Sequence, residues 1–242
     1  MEAVLIKVAL AILAHSRIRA CAVGELALNY YNVPRAIHDI EICVPHDQVS
    51  KAAELLCSTG LFEPSPLGEF NLFTEYKKGY PRLRATSWSS SHLGLVIFSD
   101  TSFGLRPLEE SVVPNIKPLD SACYSKQILD VVASNDLNAI PMPCLGPYFA
   151  GLCRRYLDLG DDVAMIAAEQ LVDGMNLDQN WVTKNIASAE QDVQELARQL
   201  IHGKASRLDD LSGNTVTCFV ANEDEAEALR NIPGFETLEV GL

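Results

Sequence analysis

The sequence predicts a mixed α/β fold: a sheet with flanking helices, followed by a mainly helical second domain. Three observations predict it. Residues 37–44, IHDIEICV, alternate strictly, which is the period of a strand. Helical patterns stand on both sides of that strand, and near residue 118 short strand-like runs give way to long helical ones. The chain of 242 residues is 48% hydrophobic and 21% charged, enough apolar side chain for one large domain or two small ones. The expected division is an α/β domain over 1–118 and a mainly helical domain over 119–242, ended by a small strand-helix-strand tail.

Residues 3–14 place apolar side chains nearly all round, as in a helix packed on both sides. That run has the length of a signal-peptide core, but Glu2 offsets Lys7 and leaves no basic leader, so it reads as a buried first helix. A short strand over 18–23 follows, Gly24 breaks the chain, and 26–31 forms a short helix ending at Asn32, ahead of Pro34. After the alternating strand, residues 45–47 start a helix that runs through Leu56 and is closed by Gly60. Three strand-like runs, 70–76, 82–86 and 93–98, are separated by Lys77-Lys78-Gly79 and by a serine cluster over 87–91. Residues 106–118 hold three prolines and no period, the mark of a surface linker. Beyond it, 148–157, 161–172 and 189–202 carry helical patterns, and 214–221, 223–231 and 235–240 suggest the tail.

Charge and cysteine usage narrow the partners. Nineteen Lys plus Arg against 32 Asp plus Glu give a formal charge of −13, a field that repels phosphate backbones. Small-molecule or protein partners are expected, and nucleic acid is not. The seven cysteines (Cys21, Cys43, Cys57, Cys123, Cys144, Cys153, Cys218) are odd in number, scattered and mostly set in apolar runs, so they read as buried thiols in a reducing, cytoplasmic setting. No CxxC or zinc-spaced Cys/His pair occurs, and no run approaches the ~20 apolar residues of a membrane span.

The segment that carries chemistry is VGELALNYYNVPRAIHDIEICV, residues 23–44. Strand alternation puts Asp39 and Glu41 on one face, roughly 6–7 Å apart at their Cα atoms. Two such acids can jointly hold a divalent cation, and oxygen ligands of this kind suit magnesium. The preceding Gly24 lets a phosphate approach the backbone, and the amides that open the short helix add a partial positive end. The same acids also read as the solvent face of an edge strand. Arg35 either binds phosphate or neutralises the acidic strand. His38 falls on the opposite face, as a core or interface histidine does. Asp161 and Asp162 read as helix N-terminal acids or as substrate contacts. Arg154-Arg155, Lys77-Lys78 and the Arg82/Arg84 pair are the basic clusters; Arg82 and Arg84 share a strand face that meets phosphates or forms a solvated hairpin. Tyr30, Tyr31 and Trp88 stack on a base or fill core space. No Rossmann, Walker, nucleophile-elbow or zincin motif occurs.

This arrangement resembles the nucleotidyltransferase superfamily, the fold of polymerase-beta-like and antibiotic-modifying enzymes. Its minimal members run glycine-glycine or glycine-serine, Ala-Leu, an arginine, then Asp-x-Asp; the matching residues here are Gly24, Glu25, Ala27, Leu28, Arg35, Asp39 and Glu41. A second echo follows in RRYLDLGDDVAMIAAEQLV, where Arg154, Asp161 and Asp162 fit a basic helix residue and an acidic pair opening the next helix. The order of elements agrees over about two thirds of the chain. The resemblance implies that Asp39 and Glu41 are catalytic and hold Mg2+, and that Gly24, Glu25, Arg35, Arg154, Asp161 and Asp162 line the substrate. The implied reaction is transfer of a nucleoside monophosphate from a nucleoside triphosphate to a small-molecule or protein acceptor. Three departures oppose it: Glu25 replaces the second glycine or serine, Glu41 replaces an aspartate, and 93–98, LGLVIF, holds no third acid, the nearest being Glu75 and Asp100. They point to an alternative, a catalytically inactive protein that binds a ligand or partner in the same cleft, or an enzyme of different chemistry.

Overall fold

The structure, a computed structural model, describes residues 2–66, 72–89, 91–114, 124–208 and 212–236. It is mixed α/β, as the sequence predicts. Helix α1 (Glu2–His15) leads into strand β1 (Cys21–Ala22), helix α2 (Gly24–Tyr30) and strand β2 (Asp39–Val44). Helix α3 (Val49–Ser58) and strands β3 (Phe62–Pro64), β4 (Arg82–Ala85) and β5 (Gly94–Ser99) complete the first half. The second half holds α4 (Lys126–Val131), α5 (Ser134–Leu137), α6 (Leu145–Leu159), α7 (Asp162–Gly174), α8 (Gln179–Asn185), α9 (Gln191–His202) and α10 (Glu223–Leu229). No helix among the described residues is long and apolar enough to cross a membrane.

The strands form one sheet in the order β1-β2-β5-β4-β3. Strands β2 and β5 are parallel, with Asp39 opposite Gly94 and Glu41 opposite Val96, and the other pairings are antiparallel. Every residue of β2 and β5 is buried, as expected of parallel strands covered on both faces. This overturns the edge-strand reading of the two acids: β2 is internal, and both acids are buried.

Several local expectations are corrected. The 18–23 strand is only two residues long, and β3 is a strand the sequence reading missed. The run 70–76 is not a strand where it is described: residues 72–74 turn and Glu75–Lys77 makes one 3-10 turn. Phe70 and Asn71 lie outside the described residues. The 214–221 run folds back on itself instead of extending, with Thr215 N–H donating to the Ala221 carbonyl (3.0 Å). Residues 237–240 of the tail, 115–118 of the linker and Cys123 lie outside the described residues. Of the other cysteines, Cys21, Cys43, Cys144 and Cys153 are buried thiols, while Cys57 and Cys218 are half-buried. Tyr30 and Tyr31 fill the core, and Trp88 packs edge-on against Phe62 with its ring N–H on the Leu61 carbonyl (2.5 Å).

One hydrophobic cluster runs from α1 to α10, so the helical half shares a core with the sheet half. Their closest seam lies where α6 crosses the turn after β5. Gly104 adopts φ +64°, and a Cβ added there would lie 2.8 Å from the Gly151 Cα; a Cβ on Gly151 would lie 1.8 Å from the Phe103 carbonyl oxygen. No side chain fits between these backbones, so the approach sets the height of α6 above the sheet. Gly151→Ala is therefore expected to destabilise the protein by about 1–3 kcal/mol or more in urea denaturation, through overpacking. Gly160, at φ +65° with nothing within 4 Å, is the control: Gly160→Ala should cost only about 1–2 kcal/mol of backbone strain.

Candidate functional site

The site is built on the Val23–Gly24 corner. Val23 N–H donates to the Glu41 carbonyl (2.9 Å), and Gly24 then turns the chain into α2 with φ +60°. A Cβ on Gly24 would fall 1.8 Å from Glu41 Oε2, so the glycine is required both by its φ and by the carboxylate lying over it. From the roof, the Tyr148 hydroxyl on α6 donates to the Gly24 carbonyl (3.4 Å). A cavity of about 400 Å³ opens between the two halves. Its floor is Gly24, Asp39 and Glu41, one wall is Phe73, Thr74, Tyr76 and Lys77, and its roof comes from α6 and the first turns of α7.

Asp39 and Glu41 do share a face, and that face is closed by cations. The Lys77 ammonium lies 2.9 Å from Asp39 Oδ2 and 2.9 Å from Glu41 Oε1. Arg82 donates to Asp39 Oδ1 through Nη2 (2.8 Å) and Nε (3.1 Å), and the Gly94 amide donates to the same oxygen (3.1 Å). The Tyr76 hydroxyl donates to Glu41 Oε1. The side chains of Lys77 and Glu41 are 3% and 0% exposed. Two carboxylates and two cations thus form a buried, charge-balanced quartet, with Glu41 Oε2 left as the oxygen without a hydrogen-bond partner.

The ionisation of the quartet follows its geometry. Burial pushes the Asp39 carboxyl up, but Arg82 and Lys77 together outweigh it and hold the group below its ordinary 3.8. Burial dominates at Glu41 and raises it above 4.5 despite Lys77 and Tyr76. Burial would lower Lys77, but the charges and hydrogen bonds of Glu41 and Asp39 reverse the sign and raise it above 10.5. Tyr76 is pushed far above the phenol range by burial and by the Glu41 charge.

Magnesium, which the resemblance implies, does not fit these residues. Each Asp39 oxygen already accepts from cationic groups, Glu41 Oε1 accepts from Tyr76 and faces Lys77, and Glu41 Oε2 rests on Gly24. A divalent ion would have to displace an ammonium from between the two acids. The third acids considered from sequence are elsewhere: Glu75 is exposed, and Asp100 is buried against the His46 amide (3.0 Å). Among the described residues, no three His, Cys, Asp or Glu side chains come together to hold a metal.

The remaining sequence-selected residues divide. Gly24, Glu25, Arg35 and Asp161 line the cavity; Arg154 and Asp162 do not. Both Glu25 oxygens are taken by His38, through its amide and its ring Nδ1 (2.6 Å each), and His38 itself is 73% exposed, not a core residue. Arg154 faces away from the cavity into an exposed cluster with Asp158, Glu190 and Asp192. Its neighbour Arg155 is the one that faces inward. Arg155 Nε donates to Asp161 (2.5 Å), and its guanidinium lies over the Tyr76 ring at 5.4 Å, a ring that also stacks with Phe98. Asp161 also caps α7, accepting from the Val163 and Ala164 amides (3.0 and 3.3 Å), while Asp162 is exposed. Lys77, Arg82 and Arg155 stand in the basic clusters the sequence shows but without a role at the acids, and Tyr76 and Tyr148 carry no sequence signal that marks them. No model of a protein family matches the chain, and no curated protein does.

Removing one partner of a buried ion cluster leaves an uncompensated charge. Lys77→Ala is expected to destabilise the protein by about 3–5 kcal/mol at neutral pH. The double substitution Lys77→Met with Glu41→Gln removes one charge of each sign and should recover most of that loss. The pH dependence has a defined sign. The Asp39 contribution is present above 3.8 and lost as pH falls through its lowered value. The Lys77 contribution is full below 10.5 and lost as pH rises through its raised value. Glu41 favours the fold when protonated, fully below 4.5, and this is lost as pH rises through its raised value. The deficit of Lys77→Ala should therefore shrink as pH falls through the raised value of Glu41 toward 4.5, read by denaturation at a series of pH values.

Proposed function

We propose that the chain is a small-molecule-binding protein of nucleotidyltransferase-like build, whose cleft takes its ligand without metal-assisted nucleotidyl transfer. The observation that carries this reading is the Lys77 ammonium held 2.9 Å from both acids, at the place where a cation would bridge them. Phosphoryl chemistry of the implied kind depends on metal charge at the attacking and leaving oxygens. A lysine fixed in a salt bridge supplies one positive charge, already neutralised, and offers no open coordination position. The cavity itself supports binding: about 400 Å³ lies within the range of small-molecule sites, with a largely apolar roof and a few convergent polar groups.

Calorimetric titration with magnesium and each nucleoside triphosphate, beside a mass-resolved screen for nucleotide transfer, tests the reading. No magnesium-dependent heat and no adduct mass are expected from the wild-type chain. An adduct formed by wild type and lost in Asp39→Ala would refute it and restore the two acids as catalytic residues.

A further inference from the structure

We infer that the ligand of this cleft is a monocarboxylate with an apolar body, seated through Arg35; the inference rests on the binding role proposed above. The cavity's polar groups are nearly all spent on one another. Lys77 is held by Asp39 and Glu41, Arg155 by Asp161 and two carbonyls, and Glu25 by His38. Arg35 is different. Its main chain is fixed, with N–H on Asn29 Oδ1 (3.2 Å) and C=O accepting from Asn29 Nδ2 (2.9 Å). Its guanidinium makes no hydrogen bond or ion pair among the described residues, and its Nε is buried without a partner. A buried charged donor left unmatched is costly, and native structures match such groups.

An anion at Arg35 supplies the match. A carboxylate meets a guanidinium with two parallel hydrogen bonds in one plane. The surroundings limit the anion to one negative charge: Arg35 is the single uncommitted cation of the cavity among the described residues, the other cations Lys77 and Arg155 being held by acids, and the chain carries −13. A phosphate monoester approaches two negative charges near neutral pH, and its second charge would find no partner. Leu28, Phe103, Leu152, Val163, Ala164 and Ala167 are among the apolar residues of the lining and suit a ligand with an apolar body.

Titration calorimetry of the full chain in chelator with phenylacetate, phenylacetamide, phenyl phosphate and acetate tests this. Phenylacetate should bind, and the other three should bind roughly tenfold or more weakly, each lacking the single charge or the apolar body. Arg35→Gln should weaken phenylacetate by roughly tenfold or more, with Arg35→Lys restoring part of the loss. The Asn29 bonds use only the main chain of residue 35, so Arg35→Gln should melt as wild type does. Absence of heat from phenylacetate, equal binding of the amide, tighter binding of phenyl phosphate, or indifference to Arg35→Gln would each overturn the inference. Failure of the binding reading looks different: it shows as magnesium-dependent transfer, whereas charge-independent binding refutes the monocarboxylate alone.

Discussion

The ammonium of Lys77 between two buried carboxylates is the constraint on which the rest of the cleft depends. Asp39 and Glu41 sit two residues apart on an internal strand, so their charges project together on one largely buried face. Like charges so placed raise each other's cost of ionisation, and burial adds to it. Strand β2 can occupy an internal position in the sheet only because cations reach both acids. Arg82 arrives from β4 across Gly94, where any Cβ would collide with the guanidinium at 2.5 Å. Lys77 arrives from the turn before β4, and to deliver it that turn must close over the mouth of β2.

The closure in turn places the roof. With Lys77 seated, Tyr76 stacks with Phe98 and lies under the Arg155 guanidinium, and its hydroxyl reaches Glu41. Arg155 is pinned by Asp161, which also caps α7. A chain of contacts therefore runs from the sheet's two acids to the first turn of α7, and the backbone approach of Gly104 to Gly151 is a second tie between the same two layers. The cavity is the space these two ties leave open.

Features with a local cause were legible in the sequence. The alternation of 37–44 yields a strand because a period of two is a property of neighbouring residues, and Asp161 reads as a helix N-terminal acid because capping spans only three positions. Whether the acidic face met water or protein was not legible: alternation distinguishes two faces without saying what covers each. Lys77 stands 38 positions from Asp39, and no local pattern joins them. Its segment reads as a strand because Phe73, Thr74 and Tyr76 favour one, yet a turn is what brings Tyr76 and Lys77 to bear on Glu41 together. Arg154 and Arg155 are adjacent on a helix, about 100° apart around its axis, and only the packing of α7 decides which one faces the cleft.

The quartet also decides what the cleft can sense. A floor whose charges cancel and whose hydrogen bonds are nearly all internal presents little net field to a ligand, although it is made of four ionised groups. Under the proposed binding role, discrimination shifts from the floor to the places where polar capacity is still open and to the apolar roof. Arg35 supplies the first, near the turn that His38 and Glu25 hold together; Leu152, Val163 and Ala167 supply the second. In a metal-bridged cleft the acids would be the point of attachment for substrate phosphates. Here they are tied into the architecture by Lys77 and Arg82, and under the proposed binding role recognition falls to residues beside them.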